Sequence, residues 1–252
     1  MERRAQVNHK IDICVEFWRP RIAGLRQGGK LPRVAAMDSP APNERGWRGS
    51  ADLWLDAAYQ LLVEGGVEAV KVMPLAERLG LSRTSFYWHF ADREALLDGL
   101  VARWQSRNTA NLVRQTEAPA ATITEAVLNL FDCWIMQDLF DSRLEFAIRT
   151  WALTDPALAK TLAAADATRI AAIKAMFLRF SYPEAEADIR AHTVYLTQIG
   201  YISMRVDEPL LPRLDRIPPY ALTFTGHAPS PAEIKAFRAR HIQANRASKS
   251  SN

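Results

Sequence analysis

The sequence predicts an all-α fold, with a three-helix unit over residues 47–100 followed by a helical bundle over residues 101–246. Three observations point there. Apolar residues from position 51 onward recur at three- and four-residue spacing, which is the period of one helix face. Cap residues and glycine or proline stops punctuate that pattern at helix-length intervals. Few segments alternate apolar and polar residues as a half-buried strand does.

The first helix opens at Ser50, whose hydroxyl suits an N-cap, and turns Leu53, Trp54, Ala57, Ala58, Leu61 and Leu62 inward. Gly65-Gly66 stops it. Pro74 sits in the first turn of a second helix, whose inner face is Leu75, Ala76 and Leu79 and whose end is Gly80. Ser82 caps a short third helix through His89. Asp92 caps a longer fourth, with Leu96, Leu97, Leu100, Val101 and Trp104 as its apolar positions. Thr122-Ile-Thr-Glu125 fits a capping box ahead of Val127, Leu130, Phe131 and Trp134. Further helices are predicted from Ser142 to Leu153, from Asp155-Pro156 to about Phe180, and from Pro183 to about Val206. The proline-rich stretch 207–220 is expected to break into short turns. Ser230-Pro-Ala-Glu233 starts a last helix, and a polar tail over 247–252 is expected to fray.

Residues 1–46 read as a flexible basic arm. Pro20, Gly24, Gly28, Gly29, Pro32, Pro40 and Pro42 leave no amphipathic period there. Ile11–Trp18 alternates in part like a strand but has no obvious partner. Met37 offers an alternative start of translation, which would remove residues 1–36.

The formal net charge is +4, and residues 1–45 hold nine Lys/Arg against five Asp/Glu, so the remainder is neutral. Bulk charge therefore does not argue for a nucleic-acid partner; the placement of individual side chains must. A hydrophobic fraction of 48% and a charged fraction of 24% are ordinary for a globular chain. No apolar run approaches the ~18 residues of a membrane span. Asp12, Glu16 and Arg19 interrupt any signal-peptide core, so a cytoplasmic chain is expected. Cys14 and Cys133 form neither a disulfide framework nor a metal pattern. Metal-ligand spacing, a phosphate loop, a nucleophile elbow and a carboxylate pair are all missing. No enzyme activity, cofactor or metal is expected.

The two short helices joined by Gly80-Leu81-Ser82 have the parts of a helix-turn-helix. Glycine permits the tight turn, and Leu75, Ala76 and Leu79 give the supporting helix an apolar face. Phe86 and Phe90, four apart, point inward on the second helix, leaving Arg83, Thr84, Ser85, Tyr87, Trp88 and His89 for the outer face or its edges. Arg83 has the forked donors that match guanine O6 and N7. Thr84 and Trp88 offer a hydroxyl and an apolar surface for a thymine methyl. Ser85, Tyr87 and His89 are donors to phosphates, as is Arg93 in the first turn of the fourth helix. Arg45 and Arg48, ahead of the first helix, are candidates for the adjacent minor groove or backbone.

The stretch from Val72 to Leu97 resembles the signature of the tetracycline-repressor (TetR) family of regulators, and about fifty residues fall in step with it. Leu75-Ala76, Gly80, Ser82, Tyr87, His89-Phe90 and Leu96-Leu97 match the motif. The resemblance implies that Tyr87 and His89 touch phosphate and that Arg93 stands for the family's lysine after the recognition helix. Two positions depart: Val72 stands where threonine is frequent, and Met73 where a polar residue is frequent. Those departures are what an alternative would show, namely a helical small-molecule-binding or adaptor protein with a degenerate DNA-binding head.

The resemblance further implies a homodimeric transcriptional regulator, most often a repressor, that leaves a near-palindromic double-stranded operator when a small-molecule effector binds. The effector itself is not named by the sequence. The helices near 156–180 and 184–206 would pair with a second copy, through Ala163, Ala164, Ala167 and Ala171 on one and Ile189, Leu196, Ile199 and Gly200 on the other. An effector pocket would draw on Trp104, Phe131, Trp134, Phe146, Trp151, Phe177 and Tyr195, with Asp132, Arg149, His192 and Gln198 as polar anchors.

Overall fold

A computed structural model describes the backbone of residues 49–250 and the side chains of residues 49–243. The predicted arm over 1–46, with Ile11–Trp18, Cys14, Met37 and Arg45, lies outside the described residues, as do Arg48 and the last two residues of the predicted tail. Every regular element among the described residues is helical.

The head consists of α1 (Ala51–Gly65), a single 3-10 turn (Val67–Ala69), α2 (Val72–Leu79) and α3 (Arg83–Phe86). A long helix then leaves the head as α4 (Arg93–Trp104), widens into a π-helical stretch (Gln105–Thr109) and continues as α5 (Ala110–Glu117). The body adds α6 (Ile123–Ile135), α7 (Ser142–Ala152), α8 (Pro156–Arg179), α9 (Glu184–Ser203), α10 (Leu210–Thr225) and α11 (Pro231–Ser250).

The helix starts follow from side-chain oxygens that accept otherwise orphaned backbone N–H groups. Leu53 N donates to Ser50 Oγ at 3.2 Å, Ala95 N to Asp92 Oδ1 at 2.8 Å, Glu125 N to Thr122 Oγ1 at 3.0 Å and Glu233 N to Ser230 Oγ at 3.2 Å. Asp155 receives Leu158 N at 3.0 Å just ahead of Pro156, the first residue of α8.

Two sequence expectations are corrected. The backbone of residues 247–250, expected to fray, continues α11 to Ser250. The stretch 207–220 does not break into turns; most of it is α10. Pro209 caps that helix and Pro212 lies in its first turn, where an N–H has no intrahelical acceptor anyway. Only Pro218 and Pro219 are interior, and Ile217, Ala221 and Phe224 around them are buried. Burying that face offsets the ladder bonds the two prolines remove.

Two hydrophobic cores result. The first is shared between the head and the body: Trp54, Leu62, Leu75, Phe86, Leu96 and Trp104 pack with Leu144 and Ile148 of α7 and Leu158 of α8. The second gathers α5, α6, α9, α10, α11 and the C-terminal half of α8 around Phe131, Phe177, Tyr195 and Phe224. Helix α8 serves both cores, and a layer of buried polar side chains lies where they meet.

Candidate functional site

In the head, Gly80 adopts the left-handed conformation, φ 65° and ψ 26°, that ends α2. Leu81 N reaches Ala76 O at 3.0 Å and Gly80 N reaches Glu77 O at 3.2 Å, closing the helix with paired bonds. Ser82 then caps α3, accepting from Ser85 N at 3.2 Å. Phe86 is fully buried, edge-on to Trp54 at 5.4 Å and stacked on Phe90 at 5.5 Å. This anchor is what turns the remaining side chains of α3 outward.

Arg83 and Thr84 are exposed, as are Tyr87 (51%) and Trp88 (61%). Among the described residues Arg83 has neither a hydrogen bond nor an ion pair, so its five donors remain available. Ser85 is turned inward, its hydroxyl 3.0 Å from Ser82 Oγ. His89 is half-buried and its Nε2 is unpartnered among the described residues. Regular α-helix ends at Phe86; residues 87–89 continue as a turn in which His89 N and Phe90 N both reach Phe86 O. Arg93 points back toward the 3-10 turn, donating Nε to Val70 O at 2.6 Å and Nη2 to Val67 O at 2.8 Å. Met73 is 48% exposed at the start of α2.

The predicted pocket residues are not gathered in one place. Trp104, Arg149 and Tyr195 belong to the polar layer between the cores. There Glu145, with no exposed surface, accepts from Trp104 Nε1 at 2.6 Å, Asn108 Nδ2 at 2.9 Å, Arg149 Nε at 2.9 Å and Arg169 Nη1 at 2.8 Å. The Tyr195 hydroxyl donates to Asp166 Oδ1 at 2.6 Å and accepts from Arg149 and Arg169, each at 3.0 Å. Burial alone would raise the Glu145 pKa; Arg169 and Arg149 outweigh it and hold the carboxyl below its usual value. Burial also raises the Tyr195 hydroxyl, so the phenol stays protonated and able to donate. Asn108 and Arg169 sit in this layer because the π stretch aims Asn108 inward, while Thr109 Oγ1 accepts from Arg169 Nε at 3.0 Å.

Phe177 is plain core, edge-on to Tyr182 at 5.2 Å. Trp151 is partly buried and lines a shallow cleft at the seam of head and body, with Arg93, Leu97 and Pro156. His192 lies on the outer face of α9, its Nδ1 2.9 Å from Asp188 O. Asp132 is tied to α11 through His241 Nε2 at 2.8 Å. Cys133 is buried, which pushes its thiol up to about 12 and keeps it in the unreactive form.

Phe131, Trp134 and Gln198 do line a cavity. It is a narrow space between α6, α9 and α10, completed by Tyr201, Arg213, Tyr220 and Phe224. A wider, more open cleft that also touches Phe146 continues from it. Sequence reading missed Glu145, Arg169 and Arg213. Arg169 carried a signal: it falls four residues after Ala165 and four before Ile173, on the buried stripe of α8. Arg213 carried none while its segment was read as turns.

Residues 55–100 match the family described as bacterial regulatory proteins, tetR family. The tetracycline repressor protein class A from transposon 1721 of Escherichia coli is 39% identical over 61 residues, which is 24% of this chain and 28% of that repressor. The chain thus spans about a quarter of the length of the curated relatives it matches. Among solved structures, Mycobacterium smegmatis AmtR superposes with a TM-score of 0.53 at 20% identity, covering 80% of this chain and 98% of that one. The fatty acid degradation regulator FadR from Bacillus halodurans does so with a TM-score of 0.52 at 16% identity, covering 69% and 94%. At such identities these structures establish the shared helical fold of head and body.

Proposed function

We propose that this chain, whose head is a DNA-binding domain of the TetR family, is a cytoplasmic, homodimeric transcriptional repressor that leaves its operator when a small molecule enters the body. The observation that carries this reading is the outer face of α3 and its following turn. Arg83, Thr84, Tyr87 and Trp88 project from a short helix whose other side is locked by Phe86 against Trp54. A rigid helix with exposed donors is what major-groove reading requires. Tyr87 and His89 act on phosphate, and residues 47–100 form the reading head of a body comprising 101–246. Arg93 supports the head from behind, through Val67 and Val70, in addition to any phosphate contact.

Dimerisation is supported by the paired outer faces of α8 and α9. Ala163, Ala164, Ala167 and Ala171 are exposed on α8, and Ile189 (66%) and Leu196 (58%) on α9. Adjacent small and large apolar residues of this kind suit a four-helix contact with a second copy. Two heads would then meet successive major grooves of a near-palindromic operator. Effector action is supported by the cavity at Phe131, Trp134 and Gln198. A ligand there favours a state with wrongly spaced heads, through a coupling of typically ~1–3 kcal/mol.

The test is a mobility shift of the purified protein on the DNA upstream of its own gene, at several salt concentrations. A sequence-specific complex that weakens steeply with salt supports the reading. A chain that shifts no DNA there and selects none from genomic fragments would be a helical binding protein with a degenerate head.

A further inference from the structure

The cavity between α6, α9 and α10 contains two polar groups with nothing to bind. Arg213 lines it, yet among the described residues its guanidinium has no hydrogen bond and no ion pair. The neighbouring carboxylate, Glu208, is taken by Arg216, so that pair is neutral and Arg213 is left as the net charge of the site. Gln198 lines the same space, is only 7% exposed, and its amide is likewise unpartnered. The rest of the wall is aromatic: Phe131 and Phe224 stack with centroids 6.2 Å apart, Tyr220 stacks on Phe224 at 5.4 Å, and Trp134 meets Phe131 edge-on.

We infer that this cavity, together with the wider cleft it opens into past Trp134, Gln198 and Arg213, takes a small monocarboxylate with a flat apolar body, its carboxylate held by Arg213 and Gln198. An unpaired cation partly withdrawn from water is costly, and the half-buried Arg213 already has its pKa lowered by burial. One uncompensated guanidinium matches a single negative charge, and its planar fork matches a carboxylate. A dianion would leave half its charge unmet. The stacked wall favours a flat ring over a bulky or polyhydroxylated body. The tyrosine hydroxyls add no competing charge, because Tyr201 and Tyr220 bond each other at 2.8 Å.

This inference rests on reading the cavity as the effector site, and the experiment separates the two. Cinnamate, hydrocinnamate and their primary amides are titrated into the full-length protein by calorimetry, up to millimolar concentration. The acids should bind saturably and the amides at least about tenfold more weakly. Arg213→Met should erase the difference between acid and amide. The variant without ligand should be at least as heat-stable as the parent, because it removes an unpaired, half-buried cation, and added acid should raise the melting temperature of the parent alone. Equal binding of acid and amide, no binding of either acid, or a variant that melts several degrees lower would overturn the inference. Acids that bind while the operator complex persists would uphold the anion site and refute effector release from it. Release of DNA by a neutral compound, with the acids inert, would do the reverse.

Discussion

Trp104, the last residue of α4, donates its indole N–H to Glu145 of α7 at 2.6 Å, joining groups 41 residues apart in the chain. The helix that leaves the head is therefore fastened to the body through a buried carboxylate, which also receives Asn108, Arg149 and Arg169. Head position and body packing share one charged node.

Glu145→Gln leaves Arg169 buried beside a neutral amide. Breaking a buried pair from one side costs about 3–5 kcal/mol. In a chain of this length that lowers the melting temperature by about ten degrees. The double variant Glu145→Leu with Arg169→Met should lose less, since it leaves no charge stranded. Thermal unfolding followed by circular dichroism decides; a double variant worse than the single would show that the node's geometry matters beyond its charge.

Acid should weaken the same node. Glu145 is held below its unfolded value, so its contribution is present above about pH 4.5 and is lost as pH falls through the lower folded value. Glu233 behaves alike: burial opposes ionisation, but hydrogen bonds from Thr122, Thr124 and Ser230 bring it to about 2. Urea midpoints should fall steadily from pH 4.5 toward 2, and Glu233→Gln, destabilised at neutral pH, should converge on the parent near the acid end. A constant offset at all pH values would rule this out.

On DNA, Arg83→Ala and Tyr87→Phe should fail differently. Losing a base-reading fork relaxes preference at one position by about 1–3 kcal/mol. Losing a phosphate donor weakens binding to every sequence alike and makes the salt dependence shallower. A panel of operator variants measured at two salt concentrations separates the outcomes, and an even loss for Arg83→Ala would remove it from the base-reading set.

Gly80→Ala tests the turn. No atom lies within 4 Å of the added methyl, so the whole penalty is the left-handed backbone at φ +65°. That costs about 1–2 kcal/mol. Stability should fall by that much, with specific DNA affinity falling further if the turn's angle sets the pose of α3. A neutral result would mean that the turn relaxes.

Much of the fold was legible because its signals are local. Ser50, Ser82, Asp92, Thr122, Asp155 and Ser230 each announce a helix within three residues of their own position. The outer face of α3 was legible for the same reason, except that the Ser85 hydroxyl turned to Ser82. The interior of the body was not. Trp104, Arg149 and Tyr195 read as pocket lining because they are large or charged on inner faces, but apart from the local Arg149–Glu145 bond they touch groups 17 to 46 residues away. Arg213 was hidden by counting prolines where their position in the turn decides: at Pro209 and Pro212 they open a helix as well as end one.

The widened turn at Gln105–Thr109 also fixes a bearing. Each helical residue turns the chain by ~100° and advances it by ~1.5 Å. Taking one residue out of this stretch would restore an ordinary helix, withdraw Asn108 from the polar layer, and swing everything ahead of it through about that angle. The orientation of the head is thus stored as one residue of slack, so a change in the length of this segment disturbs it more than a change in its composition.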